Sequence, residues 1–178
     1  MVHLQPGQRL VDKNPLTMLR LPLLVRLFPN AKIIFVVRHP CDVVFSNYLQ
    51  HFNAPAYVAL CSTLPRLANG YAAAMRFWLQ HVERLDPPVF EWRYEDVIRD
   101  FDTHVERLGA FLELADTEPL RRFSEHAKRK GYIGTPSYDQ VVQPVYASSI
   151  GRSQRYRAYF EPVLPLLEPA MRHWGYDA

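Results

Sequence analysis

The sharpest strand pattern along the chain is Lys32 to Val37, KIIFVV, a β-branched and aromatic run entered through Phe28-Pro29-Asn30 and left through Arg38-His39-Pro40. Such an unbroken apolar run predicts a parallel strand covered on both faces. Before it, the spacing of Leu19, Leu23, Leu24 and Leu27 predicts a helix over Asn14 to Leu27, with Pro15 in its first turn and Pro22 as an interruption. After it, Asp42 to His51 predicts a helix capped by Asp42, with Val43, Val44 and Tyr48 on one face.

Leu64 to Leu85 carries Leu67, Tyr71, Met75, Trp78 and Leu79 at helical spacing, and Val89 to Tyr94 has the composition of a second buried strand. Helices follow over Phe101 to Leu112 and over Thr117 to Lys130, the second basic, amphipathic and closed by Gly131. The stretch from there to Gly151 reads as loop, and Arg157 to Trp174 resumes a helical pattern that Pro162, Pro165 and Pro169 break into pieces. Strands alternating with helices predict an α/β fold with a parallel sheet. Two or three strands are few for such a sheet to stand alone.

Composition fits one domain: 178 residues, 48% hydrophobic and 13% aromatic, suffice for a sizeable core. A net charge of +3 is too small to predict a nucleic-acid partner and compatible with an anionic ligand. Two cysteines, Cys41 and Cys61, are too few for a disulfide framework, which favours a reducing compartment. Neither a signal peptide nor a run of roughly 20 apolar residues is present, so the expectation is a soluble, cytoplasmic protein with no membrane partner. The histidines show no paired metal-ligand spacing, and no Gly-x-Ser-x-Gly elbow supports a hydrolase.

The chemistry concentrates in VVRHPCDVVFSNYLQ. Arg38 stands at the carboxyl end of the first strand, where open α/β sheets bind ligands, and Ser46 lies in the next helix. A guanidinium can fork onto phosphate oxygens while a helix start offers N–H groups and Ser46 a hydroxyl. On the residues alone, a pairing of Arg38 with Asp42 and a solvated Ser46 is an equal alternative.

That string resembles the 3'-phosphate signature of sulfotransferases, in which an Arg ends a strand and a Ser follows eight residues later, as Arg38 and Ser46 do. VDKNPLTMLRLPLLVRLFPNAKIIFVVRHPCD is similar to the stretch leading into it in bacterial sulfotransferases associated with tetratricopeptide repeats and in tyrosylprotein sulfotransferases. WRYEDVIRDF, SYDQVVQPVYASSIGRSQRY and LLEPAMRHWGYDA resemble three later segments of those families, in the same order. The resemblance implies a P-loop-NTPase-like parallel sheet flanked by helices and the donor PAPS as co-substrate, with no metal. It places Arg38 and Ser46 on the donor's 3'-phosphate and Tyr94 on its adenosine, a contact that suits a phenol. A late loop from Ser137 to Arg152 would fold over the nucleotide, with Asp139, Gln140 and Val141 as backbone contacts, Ser148 and Ser149 as hydroxyls and Arg152 as a second cation; Gly151 permits close approach. Lys13 falls where relatives carry a lysine that neutralises charge on the bridging oxygen as the sulfuryl group leaves. Each site residue also has a plainer reading: a core Tyr94 beside a solvated Glu95-Asp96 pair, a basic surface loop, a surface Lys13 paired with Asp12. Gln50 departs from the family pattern, standing where some tyrosylprotein sulfotransferases have another arginine.

The Gly-rich loop that would hold the donor's 5'-phosphosulfate has no counterpart here, nor has the general base. The expectation is therefore the C-terminal part of one sulfotransferase domain, residues 1–178, N-terminally incomplete and completed by an upstream segment or a subunit. It would transfer a sulfuryl group to an acceptor hydroxyl or amine on a glycan, peptide, lipid or small molecule. The rival is a non-catalytic nucleotide-binding module that has lost the loop, and a kinase relative is disfavoured by missing Walker elements. Residues 1–178 alone should transfer sulfate weakly or not at all, measured with sulfur-labelled PAPS; robust turnover by this chain would refute the incomplete-domain reading.

Overall fold

The computed structural model describes residue 5, residues 7–130 and residues 147–177. Two parallel strands form its sheet, β1 (Ile33–Val37) and β2 (Val89–Arg93), paired in register from Ile33 opposite Val89 to Val37 opposite Arg93. The crossover between them carries α2 (Pro40–Tyr48), α3 (Pro55–Leu60) and α4 (Leu64–Val82), after a short α1 (Leu21–Leu27) ahead of β1. Beyond β2 come α5 (Tyr94–Arg99), α6 (Phe101–Leu112), α7 (Glu118–Arg121) and α8 (Phe123–Lys130), and then, past residue 146, α9 (Arg157–Phe160) and α10 (Leu164–His173).

Prolines and caps set most boundaries. The helix expected over Asn14 to Leu27 divides into a 3-10 segment, Pro15–Arg20, capped by the Asn14 side chain, and α1, whose first turn contains Pro22. A proline there has no N–H to waste, so it restarts the helix instead of ending it. Thr63 caps α4 and Asp100 caps α6, which runs over the expected Phe101–Leu112. The basic helix expected from Thr117 breaks at Arg122 into α7 and α8, and Gly131 lies outside the described residues. Gly175, at φ 66°, closes α10: Tyr176 N–H donates to the Met171 carbonyl at 2.8 Å, folding the terminal residues back toward the sheet.

The larger part of the core lies on one face of the sheet, while α6 packs on the other face at β2, where Phe111 meets Phe90 at 5.1 Å between ring centroids. Phe35 and Val37 are buried, Phe35 stacking on Trp78 of α4 at 3.8 Å between centroids and tilting against Trp174. Around them Leu21, Ala170 and Trp174 close one cluster, and Val44, Phe45, Leu67, Phe160 and Leu167 fill a second between α2, α4 and α10. The expectation that both faces of β1 are covered is corrected here. Side chains alternate along a strand, and Ile34 and Val36 point away from α4 and α10 to the face that α6 covers at β2 but leaves open at β1, Val36 being 63% exposed.

Leu167 is fully buried, so Leu167→Ala should cost about 2–5 kcal/mol in urea unfolding through lost contacts and a cavity. Val36→Thr, on the open face of β1, should stay within about 0.5 kcal/mol of the parent. Equal losses at the two positions would contradict an open outer face of β1.

Candidate functional site

Because β1 and β2 are parallel and in register, both end at the same level, and the residues that follow them, Arg38 and Tyr94, emerge side by side. The Arg38 guanidinium lies 5.1 Å from the centroid of the Tyr94 ring, within cation–π range. Two residues distant in sequence, both expected at the donor site, are thus brought together at the strand ends.

Asp42 is not the helix cap expected of it. α2 begins at Pro40, and the His39 ring caps it, Nδ1 accepting from the Cys41 N–H at 3.2 Å. Asp42 sits in the first turn, fully buried, where its carboxylate accepts from the Gly151 N–H at 2.7 Å and from the Ser153 N–H and hydroxyl, each at 2.8 Å. Arg38 Nη2 lies 3.7 Å from the same carboxylate and donates to the Ser149 carbonyl. The pairing of Arg38 with Asp42, which the residues left open, is therefore present, and it is joined to the 149–153 segment. The Arg38 Nε–H is buried without an acceptor among the described residues.

The other expected residues fall as follows. Ser46 is half-buried, one helical turn beyond Asp42, and its hydroxyl has no hydrogen bond among the described residues. Ser149 is buried and meets Arg38 through its carbonyl. Arg152 is exposed, with its guanidinium 5.9 Å from the Phe45 ring centroid. Lys13 is exposed, and no hydrogen bond or ion pair joins it to Arg38 or Ser46; Asp12 accepts from the Thr17 hydroxyl at 3.1 Å and makes no ion pair with Lys13 among the described residues. Asp139, Gln140 and Val141 lie outside the described residues.

One buried neighbour of Arg38 and Tyr94 escaped the sequence reading. Glu95 does not share a solvated pair with Asp96: it is buried and accepts from the His39 N–H at 2.8 Å and the Tyr176 hydroxyl at 2.7 Å. Only Asp96 fits the surface picture, paired with Arg99 at 3.0 Å. The Arg93 guanidinium lies 4.1 Å from the Tyr176 ring centroid. Burial, and then the bond to Glu95, push the Tyr176 hydroxyl well above the ordinary phenol range. Burial first and the neighbouring Asp42 second push the Cys41 thiol up to about 11, so it stays protonated beside the site. Among the described residues no group of three His, Cys, Asp or Glu side chains could hold a metal ion, and no helix is long and apolar enough to cross a membrane.

A model described as the sulfotransferase family matches residues 1–118. An uncharacterized protein of Aquifex aeolicus is 30% identical over 169 residues, 92% of this chain and 21% of its own length. The omega-hydroxy-beta-dihydromenaquinone-9 sulfotransferase Stf3 of Mycobacterium tuberculosis is 30% identical over 156 residues, covering 80% of this chain and 38% of that protein. Sulfotransferase 4A1 of Homo sapiens is 30% identical over 109 residues, 54% of this chain and 37% of its own. The chain spans between 21% and 38% of the length of these three relatives.

Tyr176→Phe leaves a buried carboxylate short of one donor and should cost about 1.5–3 kcal/mol, the range for a hydrogen bond to a charged group. Tyr159→Phe, at an exposed position, should stay within about 0.5 kcal/mol. The sign of the pH effect follows from a raised folded-state value. Above about pH 10 an unfolded tyrosine ionises while folded Tyr176 holds its proton, so the parent's advantage over Tyr176→Phe should shrink as pH rises further. Urea titrations at pH 8 and pH 10.5 measure it, and a gap that widens with pH would contradict the assignment.

Proposed function

The chain belongs to the sulfotransferase family, and from that premise we propose that it supplies the 3'-phosphate and adenosine half of a PAPS site in an enzyme that sulfates an acceptor hydroxyl or amine. The observation that carries this reading is the meeting of Arg38, Tyr94 and the 149–153 segment at the ends of two parallel strands. Arg38 presents a fixed planar cation, and Ser46, on the helix that follows, a hydroxyl with no hydrogen bond among the described residues; together they suit the doubly charged 3'-phosphate. Tyr94 offers an aromatic face to the purine, with Arg152 as a further cation from the late loop and Asp139, Gln140 and Val141 as its backbone contacts.

Lys13 is assigned to the transferring end, where its ammonium would offset negative charge growing on the donor's bridging oxygen. The described residues of this chain present no Gly-rich phosphate loop, so we assign the 5'-phosphosulfate to a strand–loop–helix element upstream or in a second subunit, in a P-loop-like domain of which residues 1–178 form the C-terminal part. The open Ile34–Val36 face and the single pairing of β1 among the described residues favour such an addition. The acceptor class follows the family, a small-molecule, glycan or peptide hydroxyl or amine, and the working compartment is the cytoplasm, in keeping with two free cysteines.

Calorimetry with PAP, the desulfated donor, tests the reading. Arg38→Ala should weaken PAP by about 30-fold, the equivalent of about 2 kcal/mol for charge-assisted bonds, and should leave 5'-AMP, which lacks the 3'-phosphate, nearly unchanged. Equal affinity of the parent chain for PAP and 5'-AMP would sink the assignment.

A further inference from the structure

We propose that Asp42 is a positioning residue of this site: its buried carboxylate aims the Arg38 guanidinium and closes the 149–153 segment over it, with the Ser149 carbonyl holding the place that a phosphate oxygen takes. The inference rests on the donor assignment above and names the residue that would make the 3'-phosphate position selective.

Three observations lead to it. A carboxylate has about four acceptor positions, and Asp42 fills three with donors from Gly151 and Ser153 while Arg38 approaches the fourth side. At full burial those donors are not optional, because a buried anion left short of partners is strongly disfavoured. The 149–153 segment is thus bound to the first turn of α2 across 111 residues of sequence. Gly151 makes this possible: at φ 69° it turns the chain so that its own N–H and that of Ser153 both reach Asp42.

The distances separate aiming from consumption. A direct charge-assisted hydrogen bond to a carboxylate measures about 2.7–2.9 Å, whereas Arg38 Nη2 stands 3.7 Å from Asp42. Asp42 therefore orients the guanidinium electrostatically without occupying its donors in short bonds. The acceptor that Arg38 does engage is a neutral backbone carbonyl, Ser149. A phosphate oxygen is a stronger acceptor for a guanidinium than a carbonyl is, so exchange of one for the other is favourable and leaves the Asp42 bonds to Gly151 and Ser153 intact. Tyr94, against the guanidinium on another side, limits the directions in which it can turn.

The test uses the full chain and calorimetry with PAP and with 5'-AMP on the parent, Asp42→Asn, Arg38→Ala and the double variant. Asp42→Asn should weaken PAP by about tenfold, the scale seen when an orienting partner of a binding group is removed, and 5'-AMP by less than about twofold. On the Arg38→Ala background the same change should have no further effect on PAP, because Asp42 acts through Arg38. Ser153→Ala removes one of the three bonds and should shift PAP in the same direction by about threefold, which covers the case that Asp42→Asn fails to fold. Equal weakening of PAP and 5'-AMP, or independent losses in the double variant, would overturn the positioning role and reduce Asp42 to a loop anchor. A parent chain that does not prefer PAP overturns the donor assignment and this proposal together; a preference that survives Asp42→Asn overturns only this proposal.

Discussion

Parallel, in-register pairing of β1 with β2 is the constraint from which the site follows. Two parallel strands in register end at one level, so the residues after Val37 and Arg93 must begin as neighbours. Antiparallel pairing would have put Arg38 and Tyr94 at opposite ends of the sheet. The pairing demands a long crossover, and α2 to α4 provide it. The crossover then returns the cost of its length by covering the sheet, since Trp78 of α4 stacks on Phe35 and buries the face that β1 turns inward.

Two buried carboxylates turn this proximity into fixed geometry. Asp42 ties α2 to the 149–153 segment, and Glu95 ties the His39 N–H to the chain's last turn through Tyr176. Apolar contacts are indifferent to direction; a carboxylate that accepts named N–H groups is not. Burial sharpens that difference, because any arrangement that strands the anion is heavily disfavoured. The turn that follows Arg38 is thereby set at two points, through Glu95 at His39 and through Asp42 three residues further on.

Much of this was legible in the sequence, and the exceptions share one physical cause. β1, α6 and the break at Pro162 follow from local pattern, since apolar period, caps and missing N–H groups act within a few residues, whereas Pro169, expected to interrupt the last helix, lies inside α10 and Pro165 in its first turn. Arg38 was placed at a strand end by its position alone. What local pattern could not give were partners distant in sequence. Asp42 ahead of an apolar run reads as a cap, and only the return of Gly151 and Ser153 makes it a joint. Glu95 beside Asp96 reads as solvated, and only the terminal turn at Gly175 buries it. Nor does an apolar run of KIIFVV reveal that Ile34 and Val36 face away from every helix that packs on Phe35 and Val37.

The packing of β1 on its inner face alone has a consequence for how the site responds to change. A two-stranded sheet is marginal by itself, so the position of the strand ends depends on the helices packed against the inner face. Trp174 meets Phe35 from the end of α10, and the next two residues, Gly175 and Tyr176, carry the chain to Glu95. The same segment therefore seals the core and fixes the turn after Arg38. Substitutions on the outer face of β1 leave that linkage alone, whereas loosening α10 would move the Glu95 joint along with the packing. The geometry at Arg38 thus depends on the fold through α10 as much as through the strand that carries it.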